Sequence, residues 1–212
     1  NKIHTHQAEL SIQTSSMTLQ EFTAAYDTPN SVVLLEGKRN VAEEDKDRLV
    51  ELGGVLASRT SHITFRSGNA AGADYYFSKG IAEVAPDRLQ VVTPYTGHRK
   101  KSNHAGETFP LDQVNLANEP EVIYQAKTSG KMDNLIDQYV AGRQNRNTVK
   151  AAYIIRDTLK VTGTGEIRPA TFGLFYDDLQ KPRAGGTGHT MEVCEKNGIP
   201  FFDQSAWLGW VE

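Results

Sequence analysis

The stretch "HITFRSGNAAGADYYFSKGIAEV" (62–84) reads as a strand, a glycine-rich loop and a helix, in that order. Outward from it the same alternation repeats. Upstream, "SVVLLEG" (31–37) is a continuous apolar run closed by glycine, the pattern of a strand buried on both faces. "EEDKDRLVELGGVLAS" (43–58) opens with acids and then sets Leu49, Leu52 and Leu56 at helical spacing. Its internal Gly53 and Gly54 each weaken a helix by about 1 kcal/mol relative to alanine. "TLQEFTAAY" (18–26) suits a short helix with Phe22 and Tyr26 on one face.

Downstream, "LQVVTPY" (89–95) is a third strand closed by Pro94. Residues 96–120 form a polar, turn-rich loop, of a length that is usually functional or mobile. Residues 121–160 read as two helices broken near "AGRQNRN" (141–147). "GTGEIRPA" (163–170) is a turn, "TFGLFYDD" (171–178) a fourth strand, 187–197 a helix and "IPFFDQ" (199–204) a fifth strand. Strands alternating with helices predict an α/β, Rossmann-like fold: a mostly parallel sheet of five or more strands with helices on both faces. The strand-to-helix loops then share the carboxyl edge, where ligands bind near a topological switch point. Residues 1–30 are read as an N-terminal extension and 31–212 as one domain.

Composition bounds the function. The chain has 212 residues, 38% hydrophobic and 23% charged, with a net charge of −3. That length buries a sizeable core without metal or disulfides. The single cysteine, Cys194, fits a reducing compartment and is read as a small core residue. No apolar run approaches the roughly 20 residues of a membrane-spanning helix, so a cytoplasmic protein is expected. The acidic balance argues against nucleic acid as a partner. The six histidines show no metal-ligand spacing, and neither a metal nor a cofactor is expected.

Three loops carry residues capable of chemistry. "EGKRN" (36–40) contributes Arg39. "RSGNAAGAD" (66–74) offers Gly68 and Gly72 for a tight turn, and Asp74 in the first helical turn. "AGGTGHTMEV" (184–193) places Gly185, Gly186, Thr187, Gly188, His189 and Thr190 at a helix start, where backbone N–H groups attract phosphate or carboxylate. His189 suits a general acid or a phosphate contact, and Glu192 either a reacting carboxylate or a solvated helix residue. "HRKK" (98–101) is a solvated basic run or a lid, and "DD" (177–178) a ribose contact or a strand-end turn. Trp207 and Trp210 are read as packing or dimer-contact residues.

The glycine motifs resemble those of the SLOG superfamily of Rossmann-like domains, which includes LOG-type (lysine decarboxylase-like) phosphoribohydrolases and DNA-uptake processing proteins. "AGGTGHTME" (184–192) is similar to the LOG signature P-G-G-x-G-T-x-x-E at Gly185, Gly186, Gly188 and Glu192, and differs at Ala184 and His189. "SGNAAGAD" (67–74) resembles the earlier glycine loop, "EGKRN" the turn after strand one, and "RNTVKAAYIIR" (146–156) the arginine segment before the fourth strand. The resemblance implies a nucleotide 5′-phosphate held by the glycine loop, with Glu192 and Arg146 acting at the N-glycosidic bond, Arg143 in reserve and Asn147 a ligand contact. The implied partner is a nucleotide or nucleotide derivative, and the implied activity that of a hydrolase on N-glycosidic bonds. A sensor that binds without turnover is the alternative, and a DNA-processing-type binder the least expected. LOG-type proteins pair through helices. The apolar positions Ile123, Leu135, Ile136, Tyr139 and Val140 accordingly suggest a homodimer.

Overall fold

The computed structural model describes residues 17–212; His4, His6 and most of the expected N-terminal extension lie outside that range. The elements in chain order are α1 (Leu19–Tyr26), β1 (Val32–Gly37), α2 (Glu43–Arg59), β2 (Thr64–Ser67), α3 (Ala73–Ala82), β3 (Leu89–Thr93) and β4 (Glu107–Pro110). They continue with α4 (Pro120–Ala126), α5 (Asp133–Val140), α6 (Val149–Thr162), β5 (Phe172–Tyr176), α7 (Gly185–Lys196), β6 (Phe201–Phe202) and α8 (Gln204–Trp207). All six strands are parallel, in the order β4-β3-β2-β1-β5-β6. This is an α/β Rossmann-like sheet.

The chain runs from β1 outward to β4, then returns to the other side of β1 with β5. The switch point therefore lies between β1 and β5, in register from Val33 opposite Phe172 to Gly37 opposite Tyr176. β1 is buried on both sides, as its unbroken apolar run requires. Val33 and Leu35 join one core with Leu49, Leu52, Phe65, Phe77, Phe172 and Trp207, while Leu34 faces Phe175, Met191 and Cys194. A further core joins α4, α5 and α6 through Val122, Ile136, Tyr139, Ile155 and Leu159.

The glycines that weaken α2 on propensity alone have a packing role. A Cβ on Gly53 would stand 2.4 Å from the Phe77 carbonyl oxygen of α3, so the helices cross too closely for a side chain. β4 lies inside the stretch expected to be loop. It is a four-residue edge strand whose side chains are half-buried or exposed and whose last residue is Pro110. An edge strand needs no apolar alternation and tolerates proline. α1 carries a capping box between Thr18 and Glu21 and inserts the wholly buried Phe22 into the core. No helix among the described residues is long and apolar enough to cross a membrane.

Candidate functional site

Among the described residues, cavities of similar size lie at the two edges of the sheet, about 930 Å³ at the carboxyl edge and about 990 Å³ at the amino edge. Volume does not separate them; chemistry does. The amino-edge cavity is lined by Glu107, Glu119 and Glu166 with the single cation Arg168. The carboxyl-edge cavity sits at the switch point. Into it open the loop after β1, the end of β5, the start of α7 and one face of α6.

α7 begins at Gly185 with Ala184 as its cap, and no side chain caps its amides. The first N–H groups of such a helix lack intrahelical partners and carry the positive end of its dipole. Lys38 reaches across from the β1 loop. Its ammonium donates to the Ala184 carbonyl and lies 3.6 Å from Asp177 Oδ1 at the end of β5. Asp177 also accepts from the Arg183 backbone N–H at 2.8 Å, which fixes the turn leading into α7.

The expected site residues separate into three groups. Arg39, Asp74, Gly185, Gly186 and Thr187 line the cavity. Gly68, Gly72, Gly188, His189 and Thr190 shape it from behind. Arg146 and Asn147, with Arg143, sit on the exposed turn before α6 and do not line it, and Glu192 on the flank of α7 does not either.

The supporting residues have specific structural reasons. Asp74, 3% exposed, accepts N–H bonds from Gly37, Gly68 and Ala70, each at 3.1 Å, and so ties the first two loops together. Gly72 has φ +80° and packs against the Arg39 backbone, where a Cβ would meet the carbonyl oxygen at 2.1 Å. Gly188 is glycine because a Cβ would stand 1.9 Å from the Arg183 carbonyl oxygen. At Gly186 the nearest atom to a Cβ is Asp157 Oδ2, 2.8 Å away at the cavity wall. His189 turns away from the opening and pairs through Nε2 with Thr158 Oγ1 at 2.8 Å. Burial lowers its pKa, against the pull of Asp157 and Glu192. Thr190 Oγ1 donates to the Gly186 carbonyl. Burial likewise pushes the Cys194 thiol up, which leaves it packed and unreactive.

Sequence reading missed the charged floor of the cavity. Lys160 Nζ lies 2.7 Å from Glu36 Oε2 and 3.0 Å from Asp157 Oδ1, and Arg156 Nε lies 2.8 Å from the same Asp157 oxygen. All four residues are at most 5% exposed. Arg156 also donates to the Gly68 carbonyl, so α6 braces the second glycine loop. Burial raises Glu36 to about 7, with Asp74 and Asp157 adding to the effect and Lys160 opposing it. For Asp157 burial is outweighed by Arg156 and Lys160, which hold its carboxyl low. The available signal was the charges Arg156, Asp157 and Lys160 set among buried positions in the second half of α6, beyond the exposed Lys150 at its start. Among the described residues no group of three or more His, Cys, Asp or Glu side chains is placed to hold a metal ion.

No protein-family model matches the chain, and no curated protein matches it. Among solved structures it is similar to DNA processing protein A from Helicobacter pylori, described for its single-stranded DNA binding mode. That match has 14% identity and TM-score 0.44, and covers 84% of this chain and 66% of that one. It is also similar to DNA processing protein A from Streptococcus pneumoniae, at 12% identity and TM-score 0.46, over 82% of this chain and 49% of that one. The chain thus spans between about half and two thirds of their lengths. One expectation is corrected here. The acidic balance was read as making nucleic acid an unlikely partner, yet these similar structures are of DNA processing proteins, one of them described by single-stranded DNA binding. Net charge sums the whole surface, whereas a nucleic-acid contact needs only a local one, so that expectation is withdrawn.

Proposed function

We propose that the chain binds a phosphorylated nucleotide or nucleotide derivative in the carboxyl-edge cavity, with the phosphate over the N-terminus of α7. The observation that carries this reading is the juxtaposition at the switch point. The uncapped amides of Gly185, Gly186 and Thr187 face a cavity of about 930 Å³, with Lys38 beside them. Oriented amides and a helix dipole bind an anion at such an end, and the volume suits a nucleotide-sized ligand. The motifs resembling the SLOG superfamily support the same reading.

Binding is favoured over N-glycosidic hydrolysis, because Glu192 and Arg146 stand away from the cavity. Any turnover would draw on the carboxylates that do line it, Glu36, Asp74, Asp157, Asp177 and Asp178. A second reading takes the nucleotide as one unit of a single DNA strand. Its support is Tyr95, 41% exposed beside Arg99, Lys100 and Lys101 on the loop after β3, an aromatic and basic combination of the kind that single strands use.

A thermal-unfolding screen of nucleoside mono- and diphosphates, ribose 5-phosphate and a short oligothymidylate tests both readings. A ligand at 100 times its Kd stabilises the native state by about 2.7 kcal/mol. Stabilisation by mononucleotides and ribose 5-phosphate is expected. Stabilisation by the oligonucleotide alone would favour the second reading, and none by any compound would refute both.

A further inference from the structure

Tyr153 stands on the face of α6 that lines the cavity, half-buried, one helical turn before Asp157. One turn is about 5–6 Å along the axis, and Asp157 is the residue whose carboxylate stands nearest Gly186. Around Tyr153 the fold gathers planar and cationic groups. The guanidinium carbon of buried Arg156 is 5.4 Å from the ring centroid, and that of exposed Arg39 is 5.9 Å away. The His98 ring is 6.0 Å from it at 73°, and Tyr95 packs edge-on against His98 at 5.2 Å.

Two further features set this group apart from ordinary packing. His98 is 7% exposed and its Nδ1 has no hydrogen-bond partner, a cost that structures seldom leave unmet. Burial and the nearby Arg156, Arg99 and Arg39 push its pKa down to about 4, so the imidazole is neutral at pH 7. The chain is also held in left-handed backbone on both sides of the group, at Asn69 (φ 59°) and Arg99 (φ 47°). Asn69 Nδ2 donates to the His98 carbonyl at 3.0 Å and joins the two segments. Non-glycine residues in this region cost energy and cluster at ligand-binding sites.

We infer that Tyr153, flanked by His98 and Tyr95, is a stacking subsite for the planar base of the ligand, with Arg39 free to close over the base. The inference rests on the phosphate reading above and makes it more specific: the ligand is a nucleotide unit rather than a phosphosugar. Every base offers a π-face to an aromatic ring, and a guanidinium stacks on the other side. Tyr153 and Asp157, which borders Gly186, are about one helical turn apart along α6, the order of distance one ribose bridges.

Calorimetric titration of the parent, Tyr153→Leu and Tyr153→Phe with a nucleoside 5′-monophosphate and with ribose 5-phosphate tests it. Tyr153→Leu should weaken the nucleotide about tenfold, in the range of one lost stacking contact, and leave ribose 5-phosphate unchanged. Tyr153→Phe keeps the ring and should bind like the parent, which guards against a folding defect. A short oligothymidylate titrated alongside shows whether the base comes free or in a strand. Equal weakening of both small ligands, or of neither, overturns the base subsite while the phosphate reading stands. Failure of the parent to bind any of these compounds overturns both.

Discussion

Glu36, next to last in β1, is 2% exposed and faces Lys160 across the floor of the cavity. Its pKa is about 7 in the fold against 4.5 ordinarily. A carboxyl raised on folding binds more protons native than unfolded between those values, so its contribution to stability falls as pH rises through that window. Glu36→Gln removes the titration. The unfolding free energy of the variant minus that of the parent should therefore rise by about 2–3 kcal/mol from pH 4 to pH 8, read by urea denaturation. A difference independent of pH would mean that folding does not raise the Glu36 pKa.

The same scale shows why individual roles were harder to read than motifs. The glycine strings were legible, but their reasons differ: Gly188 makes room for the Arg183 carbonyl, whereas Gly186 borders the cavity. Spacing along a motif does not tell which glycine serves packing. Arg156 was within reach, at the end of the quoted arginine segment. The role fell to Arg146, however, because the start of α6 at Val149 was not known. That start places residue 146 on a turn and residue 156 at the site.

Among elements, those set by local periodicity were legible and those set by tertiary context were not. The runs in β1 and β5 are apolar because both faces are covered. That requirement is written into the apolar runs "VVLL" and "FGLFY". β4 has no such signature, because an edge strand packs on one side only. α1 tests how far the domain extends toward the N-terminus. Phe22 is 0% exposed and its ring lies 5.1 Å from Phe172 and 5.2 Å from Trp210. Phe22→Ala should cost about 3–5 kcal/mol, the range for a truncated core phenylalanine. Chemical denaturation that finds less than about 1 kcal/mol would mean α1 is dispensable to the core.

At the scale of the whole molecule, two inferences from totals proved weaker than inferences from position. Net charge gave no access to the local surface. The apolar surplus in residues 121–160 is largely spent inside the chain. Ile136 and Tyr139 are buried against α6, and only Tyr124 and Val140 stand exposed, so these residues give no separate argument for pairing between chains. What the totals could not show, the topology does: one sheet edge collects the glycine loops, the helix N-terminus and the buried charges at the β1–β5 switch point. The most direct measurement is a titration of the uniformly ¹⁵N-labelled protein with a nucleoside 5′-monophosphate, followed by amide chemical shifts. The amides of Gly185, Gly186 and Thr187 should move first and most, joined by Gly37 to Arg39 and Tyr153. Shifts confined to the amino-edge cavity around Glu107, Glu119 and Arg168, or no saturable shift at all, would contradict the account.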